Sequence, residues 1–143
     1  MIQEGIFGLF TTTPAITALL GTSRGDKTTG VFYMLAINEA VFPYIVYNRI
    51  GGQPMTFSYQ GANKLQDSRF RFSCYALSQQ NAVRLAEQIK LLWATYTGTL
   101  PDGTVVQNVM CTMENDDSEP QTEGTIYGCH VDFNFAFIDN NGA

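Results

Sequence analysis

Apolar and polar positions alternate most clearly in two stretches. From Arg69 to Ala76, Phe70, Phe72, Cys74 and Ala76 fall on one side of an extended chain, and Arg69 and Arg71 fall on the other. From Ile126 to Ile138, Cys129, Val131, Phe133, Phe135 and Phe137 face one way, while His130, Asp132 and Asn134 face the opposite way. Pro43 to Ile50 is a third strand, rich in β-branched and aromatic residues and closed by Gly51-Gly52. Between the first two strands the period changes. Ser78 is placed to cap a helix in which Ala82, Ala86, Ile89, Trp93 and Tyr96 recur at spacings of four and three, a stripe suited to the Phe70 and Phe72 face.

The weaker signals fill in the remainder. Ile2, Ile6, Phe7, Leu9 and Phe10 predict a short helix, although Gly5 and Gly8 each weaken it by about 1 kcal/mol relative to alanine. Thr13-Pro14 is a second helix start, running through Ala15 to Leu20 and stopping at Gly21. Gly21 to Gly30 is an exposed loop and Val31 to Ile37 a strand. Gly51 to Gln66 holds too many breakers for regular structure and is a long loop or a frayed hairpin arm. Pro101-Asp102-Gly103 turns into a strand from Thr104 to Met113, and Glu114 to Gly124 is an acidic loop. The predicted fold class is α+β: a single domain over 1–143, mainly antiparallel sheet, with one long amphipathic helix packed on one face and short N-terminal helices.

Composition narrows the function classes. The length suits one domain able to bury a core without staples, and no run approaches the roughly 20 apolar residues that span a bilayer. A soluble chain without a signal peptide is expected. Cys74, Cys111 and Cys129 are odd in number, lack close spacing and lie in strand-like runs, which predicts three buried free thiols. The net charge of −5 argues against phosphate-backbone binding as the main activity. Its distribution is uneven. All eight Lys and Arg lie at or before Lys90 with five acids, whereas the 53 residues beyond it hold eight acids and no Lys or Arg, so the two parts carry formal charges of +3 and −8. Such polarity suits like subunits stacking head to tail.

Chemistry is scarce. The single histidine, His130, neighbours Cys129, but adjacent strand residues point to opposite faces and cannot form a dyad. Scattered cysteines and one histidine lack zinc-site spacing, the acidic segment lacks the order of calcium ligands in an EF-hand, and phosphate-binding glycine motifs are absent. No catalytic, cofactor or metal site is predicted. Arg49, Arg69 and Arg71 are placed to meet on the sheet face away from the core, either as a hydrated face with cross-strand ion pairs or as a subunit contact.

Taken in order, the helix ending near Leu19-Leu20-Gly21, Phe42-Pro43-Tyr44-Ile45-Val46-Tyr47, Ile50-Gly51-Gly52, Arg69 to Ala76, Ala82-Val83-Arg84-Leu85-Ala86 and Val131-Asp132-Phe133-Asn134-Phe135 make the chain resemble the tail-completion family of long-tailed bacteriophages, also called tail terminator or tail-to-head joining proteins. No single motif is specific; order and spacing carry the likeness. It departs from the family pattern in a Thr/Gly loop and extra apolar run over Gly21 to Ala40, and in stopping soon after the aromatic strand.

The resemblance implies a non-enzymatic virion protein of the tail-neck region, assembled in the host bacterial cytoplasm. It would form a ring with itself, a hexamer, capping the major tail tube protein, stopping its polymerisation and meeting the head-completion or connector protein. Double-stranded DNA would pass through the lumen without specific binding, and no membrane or cofactor is implied. Arg49, Arg69, Arg71, Gln53, Met55, Phe57 and Tyr59 are then the expected subunit or partner interface. Glu114, Asp116, Asp117, Glu119 and Glu123 are the expected acidic lumen or loop, suited to repelling phosphate. Two alternatives stay open: another neck protein such as a head-completion stopper, and a dimeric α+β-barrel enzyme or small-ligand binder built around Tyr44, Tyr47 and Tyr75.

Overall fold

The computed structural model describes residues 2–17, 19, 31–34, 42–54, 65–94, 96–121 and 124–138. Its elements are α1 (Ile2–Thr11), α2 (Pro14–Thr17), β1 (Val31–Tyr33), β2 (Tyr44–Pro54), β3 (Leu65–Ala76), α3 (Gln79–Trp93), β4 (Gly98–Thr99), β5 (Val105–Gln121) and β6 (Gly124–Ile138). The six strands form one sheet in the order β1-β2-β3-β6-β5-β4. β1 runs parallel to β2, and every other neighbouring pair is antiparallel.

This architecture corrects the α+β layering expected from the sequence, in which a long amphipathic helix lies on one face of the sheet. Sheet dominates and curls into a half-barrel, with α1 and α2 short and α3, 15 residues long, set within its hollow rather than layered on a flat face. The cause is strand length. β2, β3, β5 and β6 run for 11, 12, 17 and 15 residues. Twist accumulates along strands this long, and each bulge adds a local bend. Register shifts fall between Arg49 and Gly51, between Val106 and Asn108, and between Cys111 and Met113.

Parts of two expected loops are strand, and 55–64 and 122–123 within them lie outside the described residues. Gly51 and Gly52 do not end β2, because the shift beside Gly51 absorbs one residue and pairing resumes at Gly51↔Arg69 and continues to Pro54↔Gln66. Glu114 to Gln121 continues β5, paired residue by residue with β6 until Gln121↔Gly124. Acids and Pro120 read as loop chemistry, yet an exposed strand tolerates them without burying charge. Of the strand expected from Val31 to Ile37, β1 covers Val31–Tyr33, Met34 just past it is in the left-handed region at φ 74°, and 35–37 lie outside the described residues. The expected loop at Gly21 to Gly30 lies outside the described residues.

The hollow of the sheet holds the core. Ile45, Tyr47, Phe70, Phe72, Val131, Phe133, Phe135 and Phe137 line it, and Ile6 and Phe10 of α1 and Leu85, Ile89 and Trp93 of α3 fill it. Trp93 is central, with its ring centroid 4.9 Å from Phe135, 5.8 Å from Phe10 and 6.3 Å from Phe72. Ser78 caps α3 by accepting a hydrogen bond from the Asn81 amide at 3.3 Å, and the helix ends at Trp93, short of Tyr96. Glycine at position 5 has a packing reason: a Cβ there would lie 2.8 Å from Leu100 Cβ and against the Asp102 carboxylate. Among the described residues, no helix is long and apolar enough to cross a membrane.

Candidate functional site

The outer, convex side of the sheet is where polar side chains converge. Alternation sends Arg69, Arg71, Ser73 and Tyr75 outward from β3, and His130, Asp132 and Asn134 outward from β6. The register then sets Arg71 opposite Asp132 and Ser73 opposite His130. Arg71 donates from Nε to Asp132 Oδ1 at 2.9 Å and from Nη2 to Oδ2 at 3.1 Å. Asp132 is buried, and its hydrogen bonding to Arg71 raises the guanidinium pKa further. A buried carboxylate needs such a two-point partner to offset its lost hydration.

His130 ties three strands together. Its Nδ1 lies 2.7 Å from Ser73 Oγ on β3, its Nε2 lies 2.9 Å from Asp117 Oδ2 on β5, and the Tyr75 ring stands edge-on at 5.8 Å. With Met113 and Asn115 these groups line a polar groove of about 300 Å³. The order Ser73, His130, Asp117 has the composition of a hydrolytic triad. The backbone around Ser73 is engaged in ladders with β2 on one side and β6 on the other and offers no free amide to a developing oxyanion. The arrangement is a brace across β3, β6 and β5. Cys129 faces the opposite way, into the core side, as strand geometry requires.

On the concave side, the acidic strand meets α3. Lys90 Nζ lies 2.7 Å from Glu114 Oε1, and this hydrogen bond raises the lysine pKa. Burial, with a further contribution from hydrogen bonding to Asp116, pushes the Cys129 thiol up to about 12. Gln79 and Val83 of α3 border a cleft of about 220 Å³ with Asp116 and Tyr127.

The three arginines expected on one face do not gather. Arg49 shares the parity of the buried Ile45 and Tyr47 and pairs with Phe70 before the shift, which puts it on the core side of the sheet with its guanidinium carbon 5.5 Å from the Phe70 ring centroid. Arg69 stays outward and exposed, paired with Gly51 and Asn134, while Arg71 is committed to Asp132. Gln53 pairs through its backbone with Asp67; Met55, Phe57 and Tyr59 lie outside the described residues. Glu114, Asp116, Asp117 and Glu119 are exposed on β5 rather than in a loop, divided between its two faces, and Glu123 lies outside the described residues. Cys111 is exposed, against the expectation of three buried thiols, because β5 has left the core at that point; Cys74 and Cys129 are buried and free. Sequence reasoning missed the Arg71–Asp132 pair and the Ser73–His130–Asp117 brace. Their alternation was visible, but the register that joins them was not.

The family model described as tail completion protein gp17 matches residues 4–138, from the first turn of α1 to the end of β6. The chain belongs to this family. It is therefore a structural component of a bacteriophage tail, and the outward polar face, the acidic strand and the aromatic core all fall within the matched region. No curated protein matches the chain.

Proposed function

We propose that this tail completion protein forms a ring at the end of the tail tube, stops tube polymerisation, and presents its other face to the head-completion protein in the neck of the virion. The observation that carries the proposal is the family match over residues 4–138. The fold is consistent with the role: an aromatic core makes one stiff sheet, and charged side chains are displayed on both faces of β5. Double-stranded DNA passes through the lumen, where exposed carboxylates such as Asp116 and Glu119 disfavour sticking to phosphate.

Deleting the gene from its phage and imaging the particles tests the proposal. Overlong tails that fail to join filled heads are expected. Tails of normal length beside empty or leaking heads would instead assign the protein to head completion. For the lumen, neutralising Glu114, Asp116, Asp117, Glu119 and Glu123 should slow DNA ejection, and an unchanged ejection rate would remove that placement.

A further inference from the structure

Cys74 on β3 and Cys129 on β6 are partners on one rung of the antiparallel ladder, and both side chains turn to the core side of the sheet. Both thiols are free. Directly opposed residues in such a ladder have Cα atoms about 4.5–5.5 Å apart, inside the span of about 4.4–6.8 Å that a disulfide bridges. Their Cβ atoms, at about 4.5–5.5 Å, must close to about 3.5–4.5 Å, so a bond here draws β3 and β6 together by up to about 1 Å. Such a bond is formed under strain and yields readily to a reductant. The third cysteine, Cys111, lies opposite Phe133 instead.

The pair is buried but not sealed. Cys74 is 0% exposed and Cys129 7%, and Cys129 forms part of the wall of the cleft of about 220 Å³ between α3 and the β5–β6 hairpin. A molecule little larger than water, which occupies about 30 Å³, fits such a cleft. A bulky thiol reagent does not reach Cys74 behind it. Asp116 accepts a hydrogen bond from the Cys129 thiol, and Lys90 and Glu114 are the other charged groups beside it. Burial and Asp116 together keep this thiol protonated, so its chemistry is slow rather than absent.

We propose that Cys74 and Cys129 form a redox-modifiable pair, which a small hydroperoxide entering the cleft converts to a cross-strand disulfide. The Cys129 thiolate attacks one peroxide oxygen: an S–O bond forms, the O–O bond breaks, and the leaving hydroxide takes up the thiol proton as water, leaving a sulfenic acid. The Cys74 sulfur then displaces that hydroxyl. An S–S bond forms, the S–O bond breaks, and a second water carries off the Cys74 proton. Two electrons pass in all from the two thiols to the peroxide. A bacteriophage tail component works outside the cell, where disulfides persist once formed, and this one ties β3 to β6 within the core.

The test uses the full chain carrying Cys111→Ser, which removes the exposed thiol and leaves the pair. Native protein is held with hydrogen peroxide over days, the remaining thiols are alkylated in denaturant, and the cysteines are located by peptide mass mapping. Circular dichroism establishes that the fold is retained throughout. A Cys74–Cys129 bridge is expected, with the mass of two hydrogens lost at the joined peptides and both thiols restored by dithiothreitol. Its rate of formation should rise about tenfold per pH unit between about pH 7 and about pH 9, because thiolate is the attacking species. Two thiols that remain alkylatable across that range overturn the proposal. So does a sulfinic acid on Cys129 beside an untouched Cys74 thiol, or a bridge that appears only after the protein has been unfolded.

Discussion

Asp132 sits directly across the β3–β6 ladder from Arg71, buried to 3% exposure and gripped through both carboxylate oxygens. The arginine side chain is 41% exposed, so the pair is a buried anion held by a cation at the surface. Arg71→Ala strands the carboxylate and is expected to cost about 2–3 kcal/mol in urea unfolding, whereas Arg71→Ala with Asp132→Ala costs less than the sum of the two single changes. Additive costs would show that the two side chains do not act as a unit.

Trp93 gives a second prediction. Its ring touches Phe10, Phe72 and Phe135, joining α1, α3 and the sheet, and its Nε1 is buried without a partner among the described residues. Trp93→Ala should destabilise by about 3–5 kcal/mol. Trp93→Phe should cost clearly less, because it keeps most of the contact and removes an unpaired donor. Equal losses measured by denaturant titration would show that a phenyl ring recovers none of the indole's packing.

Thiol reactivity follows from placement. Cys74 is buried and its pKa is driven well up by burial, and the Cys129 thiol is pushed up to about 12, so neither supplies thiolate near pH 8. Cys111 is exposed, although desolvation and the nearby Glu114 raise its pKa as well. A disulfide reagent at pH 8 should therefore modify one thiol in the native protein, more slowly than free cysteine, and all three after denaturation. Cys111→Ser should abolish the native reaction.

The turn at Asp102 carries a pH dependence. Burial pushes its carboxyl up, but the Thr104 amide at 3.0 Å and the Thr104 hydroxyl at 2.8 Å donate to it, and the balance leaves the pKa below the usual carboxylate value. A folded-state pKa below that of the unfolded chain means a contribution that is complete above the unfolded value of about 4 and lost as pH falls through the folded one. Asp102→Asn should cost about 1 kcal/mol at pH 7, and the gap to wild type should narrow on acidification below about pH 4. A gap that stays constant to pH 2 would mean that the charge on Asp102 contributes nothing.

Local pattern by itself determined which residues turn inward on single elements. The period of two placed Phe70, Phe72 and Cys74 on one face of β3 and Val131, Phe133, Phe135 and Phe137 on one face of β6, and the helical spacing singled out Ala82, Ala86, Ile89 and Trp93, all of which are buried. The order of these segments was sufficient for the family resemblance that the match over 4–138 supports. Covalent neighbours and side-chain direction are short-range properties, so a sequence states them directly.

What depended on distant residues had to wait for the tertiary structure. Only register sets Arg71 against Asp132 and His130 between Ser73 and Asp117, since these partners are 61, 57 and 13 residues apart. The unbroken register from Tyr44↔Tyr75 to Arg49↔Phe70 sets Arg49 over Phe70, with the adjacent Arg69 on the opposite face. The curl of the sheet and the emergence of Glu114 to Gln121 as strand rather than loop follow from ladder pairing with β6, which supplies the backbone partners that local composition could not reveal.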